Sequence, residues 1–253
     1  MPEAQGPQHV HGLGVIGDDV LLATHTGMWL AAAGATKAER VGPSQQDVMG
    51  FTVLDRGRIL GSGHPDLKQD APPNLGLIES RDQGLSFASV SLRGEADFHA
   101  LTAAGRAVYG FDGISGRLLA SSDGGRTWAR RAVPGPVVSI AVDPARPRRV
   151  AASTATGLWT STDAGRRWRQ PARKQPAALL SWPAQGRLYA VNAQGATASS
   201  ADGGTSWSRP QGAVGQPVAF TAAQRQLYVA LPDSSVLRSG DDGRSWQARV
   251  APG

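Results

Sequence analysis

The chain has 253 residues, enough for one large domain with its own hydrophobic core. It contains no cysteine, which excludes disulfides and thiolate metal sites, and no segment is long and apolar enough to span a membrane. Its 32 glycines, 17 prolines and charged fraction of only 18% are typical of many short strands joined by tight turns.

The chain divides into a short tail and six segments of similar length. The polar residues 1–8 form the tail and lack the features of a signal peptide. Each segment contains four short β-like stretches, such as VVSIAV, RRVAAST, GLWTST and RWRQP in the fourth. A single domain over 9–253 would consist of segments at about 9–41, 47–92, 97–133, 137–171, 177–211 and 217–250.

A motif of the form Ser-x-Asp-x-Gly-x-Thr/Ser-Trp recurs near the end of the later segments. It reads SSDGGRTW, STDAGRRW, SADGGTSW and SGDDGRSW, with a weaker copy, SRDQGLSF, in the second segment. The aspartates Asp82, Asp123, Asp163, Asp202 and Asp241 are 41, 40, 39 and 39 residues apart, a period that indicates stacked supersecondary units. In the first segment Ala33 stands where the aspartate would be.

The chemistry of the motif predicts a tight turn. An Asp carboxylate accepts backbone N–H bonds in a turn, and a Gly two residues later supplies positive φ without steric cost. We therefore expect each copy to be the hairpin between the last two strands of its segment, with the Trp packed beneath it. Six four-stranded antiparallel units of about forty residues predict an all-β, six-bladed β-propeller.

The first strands of the first three segments carry residues of metal-binding type. They align as HVHGL, DVMGF and DFHAL, which places His11, Met49 and His99 at one equivalent position. The last three segments have PVVSI, PAALL and PVAF there, without such residues. Because blades share strand directions, these side chains should meet on one face, at the mouth of the central channel.

Further residues of the same kind align around this position. His9, Asp47 and Asp97 stand two residues earlier, on the same strand face. The ends of the second strands, ATH, GSGH and GFD, align His25, His64 and Asp112. All five histidines lie in the first 99 residues, and burying several imidazoles together without a ligand or counter-charge is costly.

This composition predicts a metal site. Imidazole suits zinc, copper, iron or nickel, and a thioether favours Cu(I), so a His-His-Met set favours copper, with zinc or another transition metal as the alternative. We expect ligands among His11, Met49, His99, His9, His25 and His64. Carboxylates around them would accept imidazole N–H bonds. The competing hypothesis is a hydrogen-bonded polar rim without a metal.

The repeat and the segments HVHGLGV, ATHTG, MGFTV, GSGHPD, GLIES and GEADFHAL resemble a bacterial exported family of sialidase-like Asp-box (BNR-repeat) propellers labelled glycosyl hydrolases. The resemblance implies a structural Asp box on the face away from the active site. It also implies, as alternatives, glycan hydrolysis or binding, with catalytic carboxylates among Asp47, Asp66, Glu95, Asp97 and Asp112. In repeat type alone the chain resembles photosystem II assembly proteins, which implies an interaction scaffold.

Sialidase chemistry itself is not expected. The Arg-Ile-Pro motif of sialidases is absent, and Tyr109, Tyr189 and Tyr228 all lie inside predicted second strands, as VYG, LYA and LYV. Whether the protein is an enzyme therefore stays open at this point.

The net charge of +6 comes mainly from arginine. Residues 126–174 contain eleven basic and two acidic residues, and the pairs Arg130-Arg131 and Arg148-Arg149 are not interleaved with aromatic residues as in a nucleic-acid platform. We interpret this segment as a solvated surface and expect no nucleic-acid partner; the expected partners are a metal ion and, alternatively, a glycan or a protein. We expect a monomer outside the cytoplasm, with its leader already removed.

Overall fold

A computed structural model describes residues 6–171 and 179–253. The described residues form six small antiparallel sheets, each built from strands adjacent in sequence. The innermost strands of successive sheets contact one another in order, and the first contacts the last. The all-β, six-bladed propeller predicted from the sequence is confirmed. Part of the predicted tail and the predicted start of the fifth segment, at 177, lie outside the described residues.

The first three blades have four strands each. Their bounds are β1 Val10–Ile16, β2 Asp19–Thr24, β3 Gly27–Ala31, β4 Glu39–Arg40; β5 Asp47–Val53, β6 Ile59–His64, β7 Leu77–Ser80, β8 Ala88–Ser91; and β9 Phe98–Ala104, β10 Ala107–Asp112, β11 Arg117–Ser121, β12 Ala129–Arg131. The single helical turn described, a 3-10 turn at Asp55–Gly57, connects β5 to β6.

The fourth and fifth blades have three strands, and the sixth has four. Their bounds are β13 Val137–Val142, β14 Val150–Thr154, β15 Gly157–Ser161; β16 Leu179–Ala184, β17 Arg187–Val191, β18 Thr197–Ser200; and β19 Ala219–Ala223, β20 Gln226–Ala230, β21 Val236–Ser239, β22 Gln247–Val250. Isolated bridges Thr160–Arg169 and Thr197–Gln211 mark where the fourth strands of the two shorter sheets would lie.

The hydrophobic core lies between neighbouring blades and depends on the second strands. In β2, Val20, Leu21 and Leu22 are all fully buried, and β14 is buried at every position. A strand whose two faces are both covered by neighbouring sheets needs a continuous apolar run instead of alternation. The sequence supplies such runs, VLLA in blade one and VAAS in blade four.

The repeated motif forms the predicted hairpin between the third and fourth strands. In SSDGGRTW, Ser121 Oγ donates to Asp123 Oδ1 over 2.7 Å and accepts the Gly125 N–H over 2.9 Å. Asp123 in turn accepts from the backbone N–H and the hydroxyl of Thr127, over 3.0 and 2.6 Å. The copies at Ser80, Ser161, Ser200 and Ser239 repeat the Ser-to-Asp and Gly-to-Ser bonds.

The strand order fixes the face on which these hairpins lie. The third-to-fourth hairpin of an antiparallel blade is at the same end as the first-to-second hairpin, and Gly124 N indeed donates to Arg106 O in that neighbouring turn. The starts of the first strands and the ends of the second strands lie at the opposite end. The motif hairpins and the histidine positions are therefore on opposite faces of the propeller.

Candidate metal site at the channel mouth

A β-bulge in the innermost strand places the three residues predicted to be equivalent. In blade one Val10 pairs with Thr24 and Gly12 with Ala23, so His11 is the extra residue. The same skip in the pairing occurs at Met49 in β5 and at His99 in β9. A bulge bends the strand and redirects one side chain. The equivalence of these positions is thus a property of the backbone as well as of the sequence.

Blade four has the same bulge without a ligand-type residue. Val137 pairs with Thr154 and Ser139 with Ser153, which leaves Val138 at the position of His11. Val138 is 53% exposed, so the bulge turns an apolar side chain toward solvent there. The bulge belongs to the fold, and the choice of His, Met and His in blades one to three is a separate feature of this sequence.

The structure groups His11 and His25 of blade one with Asp47 of blade two. One ligand atom from each lies within 4.8 Å of the other two. His25 Nδ1 is 2.6 Å from Asp47 Oδ2 and 3.1 Å from His11 Nε2, and His11 Nε2 is 3.5 Å from Asp47 Oδ1. Among the described residues this is the one group of three His or acidic side chains with that spacing.

His25 Nδ1 makes two short contacts, to His11 Nε2 and to Asp47 Oδ2, but has only one hydrogen or one lone pair for both. A ring nitrogen carries at most one hydrogen. If His25 Nδ1–H donates to Asp47, no lone pair remains to accept a hydrogen from His11 at 3.1 Å. If His25 Nδ1 accepts a hydrogen from His11 instead, it carries no hydrogen of its own. It then faces the Asp47 carboxylate oxygen at 2.6 Å with no hydrogen between the two atoms. A cation bound by all three atoms would remove this conflict.

Burial keeps His11 in the form that binds metals. Desolvation lowers the pKa of His11 below its usual value, against the opposing effect of the Asp47 carboxylate. His11 is therefore neutral at neutral pH and has a lone pair available. The Asp47 Oδ1 atom is buried and makes no hydrogen bond among the described residues.

His9 lies at the edge of this group. Its ring centroid is 5.1 Å from that of His25, and its side chain is exposed. Its φ of 52° puts it in the left-handed region, which is uncommon for residues other than glycine. Such backbone conformations are concentrated at functional sites.

The remaining two histidines contact Asp97, at the boundary between blades two and three. His99 Nε2 is 2.8 Å from Asp97 Oδ2, and His64 Nε2 is 3.5 Å from the same oxygen. The hydrogen bond to Asp97 raises the pKa of His99, because the carboxylate stabilises the charged ring. The sequence-predicted trio is thus divided: His11 lies in one group, His99 in the other, and Met49 on the strand between them.

The predicted alignment of Asp112 with His25 and His64 is off by one residue. Asp112 pairs with Phe98, as Thr24 pairs with Val10 and Gly63 with Val48. Gly113 is therefore the counterpart of the two histidines. The residue types at the ends of the second strands do not determine their register, whereas the pairing with the first strands does. A Cβ at Gly113 would lie 2.8 Å from the His99 ring, so that ring occupies the space of a side chain there.

Three other predicted carboxylates have structural surroundings. Asp112 accepts the backbone N–H groups of Asp97 and Ile114 and a short bond from the Ser115 hydroxyl. Asp66 accepts the N–H groups of Lys68 and Gln45, which lower its pKa. Glu95 is exposed in the turn before β9.

The tyrosines are core residues, as predicted. Tyr109, Tyr189 and Tyr228 are 2%, 5% and 5% exposed. Burial raises the pKa of all three, for Tyr189 to about 12 with help from its bond to Asp242. A nucleophile needs the opposite shift.

Comparison with known proteins identifies the fold but no family. The chain is similar to a protein in the crystal structure of a nidogen/laminin complex, with a TM-score of 0.70, 14% identity, and coverage of 91% of this chain and 92% of the other. It is similar to YCF48 bound to D1 peptide, with a TM-score of 0.53 and 16% identity over 81% of this chain and 69% of the other.

A third similar structure is an ancestral GH74 enzyme. Its TM-score is 0.57 at 15% identity; the match covers 95% of this chain but only 36% of the enzyme. No protein-family model matches the chain, and no curated protein is similar enough in sequence to be recognised as a relative. The protein is thus a β-propeller by fold, and the predicted sialidase-like Asp-box family is not confirmed. Among the described residues, no helix is long and apolar enough to cross a membrane.

Proposed function

We propose that the protein binds a transition-metal ion at the channel mouth through His11, His25 and Asp47, and that the ion is copper. The role that fits such a site is copper binding or handling outside the cytoplasm. The observation that carries the proposal is the convergence of two imidazole nitrogens and one carboxylate oxygen within 4.8 Å of one another.

The distances between the ligand atoms support a metal. Ligands about 2.05 Å from a tetrahedral ion lie about 3.3 Å from one another. His25 Nδ1 is 3.1 Å from His11 Nε2 and 2.6 Å from Asp47 Oδ2, and His11 Nε2 is 3.5 Å from the other oxygen of Asp47, so these separations lie on both sides of that value. Small rotations of His25, whose side chain is 44% exposed, would adjust the shortest contact. His9 is placed to supply a further nitrogen.

The choice of copper rests on the ligand chemistry. Two imidazoles and one carboxylate suit Cu(II), zinc, iron and nickel, and copper binds most tightly in the divalent series. Met49 adds a thioether two residues after Asp47 on the same strand, and a thioether favours Cu(I). Copper takes imidazole and carboxylate ligands when oxidised and thioether ligands when reduced, so it suits both sets.

Metal titration of the protein prepared without a His tag tests the proposal. We expect Cu(II) to bind more tightly than Zn(II), and His25→Ala and Asp47→Asn each to weaken Cu(II) binding at least tenfold. Asp18→Asn is the matched control, because Asp18 is exposed in the β1–β2 hairpin on the opposite face. Equal Cu(II) affinity in the wild type and His25→Ala would refute the site.

The glycan alternative can be separated in the same variants. Its carboxylates would be Asp47 and Asp97, and neither needs a metal for glycan hydrolysis. Hydrolysis or binding of a glycan by metal-free protein, lost in Asp47→Asn, would favour that alternative. We expect no glycan hydrolysis or binding above the level of a sample without protein.

A further inference from the structure

The first site has a counterpart one blade further along the chain. In the first site His11 is the bulge residue, His25 follows the second-strand partner of the residue before the bulge, and Asp47 stands two residues before the next bulge. One blade on, the same three positions hold Met49, His64 and Asp97. Each set joins two residues of one blade to an aspartate of the next.

We propose that Met49, His64 and Asp97 form a second metal site, selective for Cu(I), between blades two and three. It rests on the proposed function for the choice of copper, which already draws on the Met49 thioether, but it shares no ligand with His11, His25 and Asp47. The two sites would be neighbours on one rim, because Asp47 of the first and Met49 of the second lie on the same strand, β5.

His64 is oriented as a metal ligand. Its Nδ1 lies 2.8 Å from the carbonyl oxygen of Pro73, so Nδ1 must carry the hydrogen and donate it. In the neutral ring Nε2 is then a bare lone pair, 3.5 Å from Asp97 Oδ2. Metal-binding histidines are commonly fixed in this way, with the other ring nitrogen donating to a backbone carbonyl. Two acceptors facing each other are stabilised by a cation between them.

Asp97 is a buried charge with incomplete compensation. Its side chain is 2% exposed, and its Oδ1 makes no hydrogen bond among the described residues. The His99 ring donates to Oδ2 over 2.8 Å. A buried carboxylate is costly unless it is paired or binds a metal. We assign His99 to orienting Asp97 and not to the metal.

The repeat of the site ends after two copies. At the boundary between blades three and four the corresponding residues are His99, Gly113 and Pro136. Gly113 has no side chain, and its space is filled by the His99 ring. Proline offers no ligand. Among the described residues, the boundary between blades three and four therefore does not repeat the site.

The difference between the two sites lies in one ligand. The first has imidazole at the bulge and the second has thioether, with imidazole and carboxylate otherwise the same. Imidazole and carboxylate suit Cu(II) and zinc, whereas a thioether selects Cu(I). The first site should therefore prefer the oxidised ion, and the second the reduced one.

Stoichiometry and ligand competition test the second site. Under anaerobic reducing conditions, with a chromophoric Cu(I) chelator as competitor, we expect Met49→Leu and His64→Ala each to weaken the tightest Cu(I) site at least tenfold. Cu(II) affinity at the first site should be unchanged in both. Met49→Leu keeps side-chain volume, and such exchanges are tolerated in folded proteins. X-ray absorption of the Cu(I) form should show a sulfur neighbour in the wild type that Met49→Leu lacks.

The outcomes separate this proposal from the first. If His25→Ala abolishes Cu(II) binding while Met49→Leu and His64→Ala leave Cu(I) affinity unchanged, the second site is refuted and the first stands. If Met49→Leu removes Cu(I) while His25→Ala leaves Cu(II) binding unchanged, the first is refuted and the second stands. A wild type that binds no copper refutes both.

Discussion

At the scale of single residues, the extra residue of each bulge decides what the channel mouth presents. His11, Met49 and His99 have the same backbone position as Val138, so packing does not require a metal-binding side chain there. The bulge residues His11 and Met49 are each followed, in the next blade, by an aspartate at or just before the start of the first strand. His99 is followed there by Pro136. Each proposed site combines a bulge residue of one blade with the aspartate of the next.

Tyr189 allows a test of whether the tyrosines are structural. Burial and the 2.7 Å bond to Asp242 raise its pKa to about 12. Because the folded pKa is above the unfolded value, its contribution to stability is complete below pH about 10 and is lost as pH rises through about 12. Absorbance titration of the folded protein should show one phenol ionising near pH 12 that Tyr189→Phe lacks. Ionisation of Tyr189 near or below pH 10 would contradict the structural role.

At the scale of elements, the motif hairpins are held by aspartates that must be ionised. Bonds from the Ser86, Ser206 and Ser245 hydroxyls and backbone N–H groups lower the pKa of Asp82, Asp202 and Asp241 to about 2. For Asp202 burial acts against these bonds. Because the pKa of these aspartates is lower in the folded state than in the unfolded state, the unfolded state binds protons more readily, and acid lowers the free energy of unfolding.

This predicts a defined loss of stability in acid. The contribution of the hairpin aspartates should be complete above pH about 4 and fall as pH drops through about 2. Asp202→Asn should lower the melting temperature at pH 6 but flatten its dependence between pH 4 and 2. Thermal unfolding followed by circular dichroism at several pH values measures both. Parallel pH profiles for the wild type and Asp202→Asn would contradict the assignment.

The elements also show which predictions the sequence could support. The hairpins were predictable because Asp, Gly and Ser determine a turn locally and the copy repeats every forty residues or so. The grouping of His11 with His25 and Asp47 was not, because it depends on how far each side chain reaches across a blade boundary. Asp112 was misplaced by one residue because the sequence does not show which second-strand residue pairs with which first-strand residue. Met49 was predicted beside His11 and His99, whereas the structure puts it on the strand between two separate groups.

At the scale of the whole molecule, the propeller closes by contacts between blades six and one. β1 of the first blade lies against β19 of the last, and no strand is exchanged between them. Ala251 N donates to Thr36 O over 2.7 Å. The Arg249 guanidinium donates to the carbonyl oxygens of Asp18, Ala31, Ala32 and Ala35, all in blade one. One side chain from the last strand thus binds two turns of the first blade.

Closure should therefore depend on Arg249 more than on other arginines. Removing a charged donor from several carbonyls costs about 2 kcal/mol or more, so Arg249→Ala should lower the midpoint of denaturant unfolding. The exposed Arg244→Ala, on the sixth-blade hairpin, is the matched control and should change little. Because copper would bind at the opposite face, among blades one to three, the folded Arg249→Ala protein should retain wild-type copper affinity. Equal stability of Arg249→Ala and Arg244→Ala would show that apolar packing of β1 against β19 closes the ring without help from this arginine.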